Sequence, residues 1–196
     1  MICCLDLEGV LVPEIWINVA KMTKIKDLEL TTRDEPDYDV LMKRRLFILR
    51  ANKIKLADVQ KVIKKMKPLR GAAGFLRKLK AKYGVIILSD TYYEFAGPLM
   101  KQLDYPTLFC NSLSVDNKGY ISDYHIRKRN GKEKAVRSLK ILGFNVCAIG
   151  DSYNDLTMLK TADKGILFKP PANIARENDQ FKVARTYDRL LSLINQ

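Results

Sequence analysis

The segment Ile2-Cys3-Cys4-Leu5-Asp6-Leu7-Glu8 joins a short apolar run to two carboxylates. Short runs rich in Ile, Val, Leu and Cys are typical of strands that are buried on both faces of a sheet. Further runs of this kind follow along the chain, at residues 85–88, 107–110, 146–149 and 165–168. The sequence therefore predicts a set of buried strands, the first of them over residues 2–7.

Segments with apolar residues at helical spacing lie between several of these runs. One covers residues 72–83, and another has its apolar stripe at Ala135, Val136, Leu139 and Leu142. Repeated strand, helix and strand units form parallel sheets with helices on both faces. We therefore predict an α/β fold with a Rossmann-like parallel sheet, and a turn sequence at residues 116–119 predicts a small hairpin at its rim.

Residues 13–66 interrupt this alternation, because they show no convincing strand pattern. Their apolar residues fall at helical spacing instead, around Trp16, Leu41 and Val59. We predict two parts: an α/β core of residues 1–12 and 67–196, and a small helical cap of residues 13–66 that is inserted after the first strand.

The chain has 196 residues, of which 47% are hydrophobic and 29% are charged. This composition is typical of a compact globular protein and excludes collagen-like and disordered chains. No apolar run approaches the roughly 20 residues of a membrane-spanning helix, and Asp6 comes too early for a signal-peptide core. We therefore expect a soluble, cytoplasmic protein without a membrane partner.

The cysteines and the single histidine limit the possible chemistry. Cys3, Cys4, Cys110 and Cys147 lie in apolar runs without metal-ligand spacing, so we expect buried thiols in a reducing compartment. His125 would have to carry any Ser-His or Cys-His scheme alone. A structural role is the favoured interpretation of this histidine.

The chain is strongly basic, with 35 Lys and Arg against 22 Asp and Glu, a net charge of +13. Such a balance is compatible with nucleic acid, an acidic surface or small anionic substrates as partners. No basic motif interleaved with aromatic residues accompanies the charge. Nucleic-acid binding is therefore an alternative that we do not favour.

Polar residues follow three of the predicted strands. Because the carboxyl ends of parallel strands face one crevice, these side chains are expected to meet there; they are Asp6 and Glu8, Ser89 and Asp90, and Asp151, Ser152, Asn154 and Asp155. Oxygen ligands without Cys or His suit Mg²⁺, which commonly partners phosphate. The chain contains no phosphate-binding loop of the G-x-x-x-x-G-K-[ST] type, whereas an aspartate nucleophile is compatible with the pattern.

Several motifs extend this pattern into a family resemblance. The chain resembles the haloacid dehalogenase-like phosphatases at Asp6-Leu7-Glu8-Gly9-Val10, Ser89, Lys132 and Gly150-Asp151-Ser152-Tyr153-Asn154-Asp155. Further stretches resemble the bifunctional phosphoserine phosphatase/homoserine phosphotransferase group, among them residues 6–14, residues 33–42 (Arg33-Asp34-Glu35-Pro36-Asp37-Tyr38-Asp39-Val40-Leu41-Met42) and Leu88-Ser89-Asp90-Thr91.

The resemblance implies a role for each candidate residue. Asp6 would be the nucleophile, and Glu8 would be the general acid and base and a Mg²⁺ ligand through its backbone carbonyl. Asp151 would be a further metal ligand. The remaining residues would bind substrate or support the site: Ser89 and Lys132 at the phosphoryl group, Asn154 at the substrate, Asp90 beside Ser89, Glu14 and Arg45 at the amino-acid end, and Asp155 orienting the metal site or Lys132.

Two alternatives remain open from the residues themselves. Lys132 and Lys134 would face roughly 200° apart on a helix, so only one can reach the phosphate, and the motif position favours Lys132. Glu14 follows Pro13 and could simply stabilise the first turn of a helix.

We expect a Mg²⁺-dependent phosphoserine phosphatase, monomeric or homodimeric, that acts through an aspartyl-phosphate and could also transfer the phosphoryl group to homoserine. A phosphatase for another small phosphomonoester is the alternative.

Overall fold

The structure is a computed structural model that describes residues 1–31, 34, 35 and 37–196. Arg33 and Pro36, which belong to one of the motifs quoted above, lie outside the described residues. A sheet with the order β4-β3-β2-β1-β5-β6-β7 forms the centre of the molecule. Its strands are β1 (Ile2–Leu5), β2 (Gly84–Tyr92), β3 (Thr107–Val115), β4 (Ile121–His125), β5 (Val146–Gly150), β6 (Lys164–Phe168) and β7 (Lys182–Ala184).

All neighbouring strands are parallel except β3 and β4, which form the antiparallel hairpin predicted at the rim. β1 is central because it pairs with β2 on one side and with β5 on the other. Its side chains alternate between two cores, so that Cys3 and Leu5 lie in one and Cys4 lies in the other.

Helices cover both faces of the sheet, which confirms the predicted fold class. The first core receives α4 (Ala72–Lys80) and α9 (Tyr187–Asn195), and the second receives α6 (Gly131–Ile141), α7 (Leu156–Thr161) and α8 (Ala172–Glu177). An additional helix, α5 (Tyr93–Gln102), follows β2.

The described part of residues 13–66 contains helices and no strand. They are α1 (Ile15–Thr23), a 3-10 helix (Lys26–Glu29), α2 (Tyr38–Ala51) and α3 (Leu56–Lys65). We call this region the cap. Gln60 of α3 donates to the backbone oxygen of Glu94 in α5 at 2.8 Å, so the cap is joined to the core at this point.

Several of the predicted element limits are wrong. β1 ends at Leu5 instead of Leu7, because Leu7 begins a tight turn in which its backbone oxygen accepts from Leu11 and Val12. β2 continues to Tyr92, so Ser89 and Asp90 lie within the strand. Leu142 lies beyond the end of α6 and is 70% exposed, so it does not belong to the buried stripe of that helix.

The C-terminal elements α8, β7 and α9 have no counterpart in the sequence prediction. All four cysteines are free and buried, as expected, and His125 is exposed on β4. Within the described residues, no helix combines the length and the apolarity that crossing a bilayer requires.

Candidate active site

The carboxyl ends of β1, β2 and β5 open into a cavity of about 680 Å³ that is roofed by the cap. Nine of the candidate residues line it: Asp6, Glu8, Glu14, Arg45, Ser89, Asp90, Lys132, Asp151 and Asn154. Asp155, the tenth, lies fully buried against Lys132. The structure thus brings together residues from the core and from the cap that are far apart in the chain.

The turn after β1 sets the position of the first carboxylate. The backbone N–H of Asp6 donates to the oxygen of Ile149 at 2.9 Å, and its Oδ1 accepts from the N–H of Leu7 at 2.7 Å. Gly9 has a φ of +75°, and a Cβ at this position would lie 2.4 Å from the carboxylate of Asp151. Glycine is therefore required for Asp151 to approach the turn.

Three carboxylates form the part of the site that fits a metal ion. One ligand oxygen from each of Asp6, Asp151 and Asp155 lies within 4.8 Å of the others. Both oxygens of Asp155 have partners in the protein, since Oδ2 accepts from the N–H groups of Asp151 at 3.0 Å and Ser152 at 3.2 Å and Oδ1 lies 2.8 Å from Lys132 Nζ, so Asp155 supports the other two carboxylates. Such an all-oxygen donor set suits a hard divalent cation such as Mg²⁺.

Lys132 provides positive charge inside this cluster. Its Nζ lies 3.0 Å from Asp6 Oδ2, 2.8 Å from Asp155 Oδ1 and 3.5 Å from Asp90 Oδ2, and the residue is 6% exposed. Lys134 is exposed to solvent instead. Burial alone would lower the pKa of Lys132, but the carboxylates of Asp155 and Asp6 raise this pKa well above its usual value. Lys132 is therefore a permanent cation in the cavity.

The negative charge of the cluster also affects the proposed nucleophile. Burial raises the pKa of Asp6 well above its usual value, and the neighbouring Asp155 and Asp151 raise it further, whereas Lys132 lowers it. A divalent cation bound by these carboxylates would offset the same repulsion. The excess negative charge of the cluster and its oxygen ligands therefore both favour binding of a divalent cation.

Glu8 points from the core toward the cap. Its Oε2 accepts from the N–H of Ile15, the first residue of α1, at 2.7 Å. Burial raises the pKa of Glu8 to about 8, and the nearby carboxylate of Glu14 contributes to the increase. Glu8 can therefore hold a proton near neutral pH, as a general acid requires.

Arg45 of α2 faces the same end of the cavity and is 6% exposed. Its guanidinium lies 4.5 Å from the ring centroid of Trp16, and one terminal nitrogen donates to the backbone oxygen of Leu30 at 2.7 Å. Its Nε is buried and has no hydrogen-bond partner among the described residues. A buried donor without a partner is costly, and Arg45 lines the cavity, so its guanidinium is well suited to an anionic ligand group.

Ser89 and Asp90 lie on the wall formed by β2. Ser89 is 7% exposed, and its Oγ accepts from the N–H of Thr91 at 3.2 Å, which leaves its own proton for a ligand. Asp90 is half exposed, and its Oδ2 accepts from Asn154 Nδ2 at 3.3 Å. Asp90 thus lies between Lys132 and Asn154, which both contact its Oδ2.

Sequence reasoning missed further lining residues. They are Trp16, Ile17, Thr31, Tyr38, Leu41, Thr91, Tyr153 and Asn173. Trp16 also packs in the first core and is 9% exposed. Tyr38 could have been found, because it lies seven residues before Arg45 and hence on the same face of a helix.

Known proteins match the chain over most of its length. Residues 1–163 match the model of the haloacid dehalogenase-like hydrolase family. The chain is 53% identical over 189 residues to a phosphoserine phosphatase of Pseudomonas syringae pv. tomato, covering 96% of this chain and 80% of that protein. It is 52% identical over 189 residues to phosphoserine phosphatase ThrH of Pseudomonas aeruginosa, covering 96% and 92%. The chain belongs to the haloacid dehalogenase-like hydrolase family.

A solved structure shows the same fold. A phosphoserine phosphatase, determined as an analogue of its phospho-aspartyl intermediate, superposes with a TM-score of 0.79, at 22% identity and 97% coverage of both chains.

Proposed function

We propose that this protein is a Mg²⁺-dependent phosphoserine phosphatase that acts through an aspartyl-phosphate at Asp6. The arrangement of charges in the cavity carries this proposal. Asp6, Ser89 and Lys132 line the cavity at its core end, with Lys132 Nζ 3.0 Å from Asp6 Oδ2, whereas Glu14 and Arg45 line it from the cap end. Phosphoserine carries a phosphate at one end and an ammonium and a carboxylate at the other, so its charges match both ends.

In the first step, Asp6 Oδ attacks phosphorus and the bond between phosphorus and the serine Oγ breaks. Glu8 donates its proton to the departing oxygen, and serine leaves as a neutral alcohol. Lys132 and Ser89 bind the phosphoryl oxygens throughout. Mg²⁺, when held by Asp6, Asp151 and the backbone carbonyl of Glu8, would supply positive charge that reduces the repulsion between the Asp6 carboxylate and the phosphate of the substrate.

In the second step, water attacks phosphorus, the bond between phosphorus and Asp6 Oδ breaks, and Glu8 takes up the proton that the water loses. Inorganic phosphate is released, and Asp6 and Glu8 return to their initial states. Asp155 holds Lys132 in place during both steps, since its Oδ1 lies 2.8 Å from Nζ.

Homoserine is proposed as a second acceptor. Homoserine is one methylene longer than serine, so it can occupy the part of the cavity that serine leaves after the first step. In this reaction the hydroxyl of homoserine replaces water in the second step and gives its proton to Glu8.

A cytoplasmic location is part of the same proposal.

Phosphate release from a panel of phosphomonoesters tests this proposal. The panel contains phosphoserine and p-nitrophenyl phosphate, with and without Mg²⁺, and with and without homoserine. We expect phosphoserine to give the highest kcat/KM, EDTA to abolish turnover, and homoserine to yield phosphohomoserine. A preference for a monoester without an amino-acid group would support the alternative phosphatase. Salt-dependent RNA or DNA binding without turnover would support the nucleic-acid alternative.

A further inference from the structure

The hydroxyl of Tyr38 joins the cap to the core beside the cavity. It lies 2.7 Å from the hydroxyl of Tyr92 and donates to the backbone oxygen of Asp90 at 3.4 Å. Tyr38 has a single hydroxyl proton, so when Asp90 accepts it, Tyr92 supplies the proton of the other bond. Tyr38 begins α2, whereas Tyr92 ends β2. The two bonds therefore tie the helix that carries Arg45 to the strand that carries Ser89.

Tyr38 and Arg45 lie on the same face of α2, because seven residues correspond to about two helical turns. Both side chains line the cavity. The start of α2 is fixed locally as well, since Asp37 caps the helix by accepting from the N–H groups of Asp39 and Val40. A shift of the first turn would therefore move Arg45 along with it.

The surroundings of the two hydroxyls are aromatic. The ring of Tyr124, from β4, contacts the rings of Tyr38 and Tyr92 edge-on at 6.0 Å and 6.4 Å. The hydroxyl of Tyr124 also donates to the carboxylate of Asp39. The hairpin of β3 and β4 therefore supports the first turn of α2, and aromatic rings flank the hydroxyl pair.

A second path of aromatic contacts leads from Tyr92 to the substrate end of the cap. Tyr92 packs edge-on against Phe95 at 5.6 Å, and Phe95 packs edge-on against Trp16 at 5.4 Å. The ring of Trp16 lies against the guanidinium of Arg45. Arg45 is thus positioned both by α2 and by the row of edge-on aromatic contacts that begins at Tyr92.

We propose that Tyr38 is a positioning residue for substrate recognition: its hydroxyl, bonded to Tyr92 and Asp90, holds α2 where Arg45 can bind the carboxylate of the substrate. Tyr38 acts through Arg45 and does not take part in phosphoryl transfer. This inference rests on the proposed function, because it assumes a substrate that carries a carboxylate.

Binding without turnover gives the first test. Trp16 is the only tryptophan of the chain and lies against Arg45, so its fluorescence reports on the substrate end of the cap. Phosphoserine is titrated with Mg²⁺ into the Asp6→Asn enzyme and into the Asp6→Asn/Tyr38→Phe enzyme. We expect Tyr38→Phe to weaken binding about tenfold, the usual order for the loss of a hydrogen bond within a protein.

Tyr93→Phe is the matched control. It removes the same atom from the tyrosine that directly follows Tyr92. The hydroxyl of Tyr93 lies outside the cavity, where it donates to the backbone oxygen of Leu108 at 3.2 Å and accepts from Arg127 at 3.1 Å. We expect Tyr93→Phe to bind phosphoserine as its parent does. Equal affinities of the Tyr38→Phe and Tyr93→Phe enzymes would overturn the proposal.

Steady-state kinetics give the second test, in enzymes that retain Asp6. Tyr38→Phe should raise KM for phosphoserine about tenfold with little change in kcat, and should leave hydrolysis of p-nitrophenyl phosphate unchanged. Tyr92→Phe keeps the bond from Tyr38 to Asp90 and should raise KM by a smaller factor, and the double variant should be no worse than Tyr38→Phe alone. Equal losses on both substrates, or additive losses in the double variant, would show a general structural role and overturn the proposal.

The two proposals fail in distinguishable ways. If the unmodified enzyme does not hydrolyse phosphoserine, the proposed function is wrong and this inference is wrong with it. If the unmodified enzyme hydrolyses phosphoserine and Tyr38→Phe binds it normally, only the role of Tyr38 is wrong.

Discussion

Lys132 Nζ lies 3.0 Å from Asp6 Oδ2, with both residues almost completely buried. The same ammonium contacts Asp155 at 2.8 Å. Lys132 is therefore the ion-pair partner of the proposed nucleophile. It also offsets the electrostatic repulsion between the buried carboxylates of Asp6 and Asp155. A phosphate that enters the cavity meets this cation together with the nucleophile.

Replacement of Lys132 by Met should impair both stability and activity. It leaves the carboxylates of Asp6 and Asp155 buried without a cation, so we expect the free energy of unfolding in EDTA to fall by about 3 kcal/mol or more. Urea denaturation and phosphoserine hydrolysis measure the two effects. Lys134→Met is the matched control on the exposed side of α6, and similar losses in both variants would contradict the role of Lys132.

Replacement of Gly9 by Ala should weaken Mg²⁺ binding. The added Cβ would lie 2.4 Å from the Asp151 carboxylate, and the φ of +75° is unfavourable for alanine. We expect the Mg²⁺ affinity, measured by calorimetry, to fall about 10- to 100-fold. Gly74→Ala adds a Cβ where no atom lies within 4 Å, and it should bind Mg²⁺ normally. Unchanged affinity in Gly9→Ala would show that Asp151 is not a ligand.

Replacement of Glu8 by Gln should slow catalysis without removing the metal site. Gln keeps the backbone carbonyl that is proposed to bind Mg²⁺, but it has no proton to exchange with the leaving oxygen. We expect kcat to fall about 10²- to 10⁴-fold with little change in Mg²⁺ affinity. Rapid-quench kinetics with a saturating Mg²⁺ titration measure both quantities. A parallel loss of metal affinity would contradict this division between side chain and backbone.

Replacement of Arg45 by Ala should affect the choice of substrate. We expect a loss of about 2 to 4 kcal/mol in transition-state binding of phosphoserine, because the substrate carboxylate loses a buried charged partner. Hydrolysis of p-nitrophenyl phosphate, which lacks that carboxylate, should be nearly unchanged. Glu14→Gln should show the same selectivity with a smaller penalty, since Glu14 is exposed. Equal slowing of both substrates would assign these residues to catalysis or stability.

The sequence was sufficient to predict the centre of the sheet and the candidate residues at its carboxyl edge. The strands around Cys4 and Ala148 are continuous apolar runs, and apolar runs of this kind are characteristic of buried parallel strands. The full extent of β2 could not be predicted, because Ser89, Asp90 and Thr91 are polar. They remain in the strand because Tyr92 pairs with Asn111 of β3 beyond a bulge.

Other features depend on tertiary packing that no local pattern encodes. β7 has three residues, so its pairing with β6 leaves too short a signal to detect. The contact between Tyr38 and Tyr92 joins positions that are 54 residues apart. Leu142 continues an apolar helical pattern, yet the helix ends before it, and its side chain is left in solvent. Local periodicity gives the elements, whereas their ends and mutual contacts follow from the assembled fold.

The central claim is that Asp6 becomes phosphorylated during turnover. The enzyme is mixed with radiolabelled phosphoserine and Mg²⁺, quenched in acid within milliseconds, digested and analysed by tandem mass spectrometry. We predict one phosphoryl group on the peptide that contains Asp6, its disappearance after the substrate is exhausted, and neither phosphoenzyme nor turnover with Asp6→Asn. Steady turnover of phosphoserine without any labelled Asp6 peptide, or a phosphoryl group on another residue, would contradict the account.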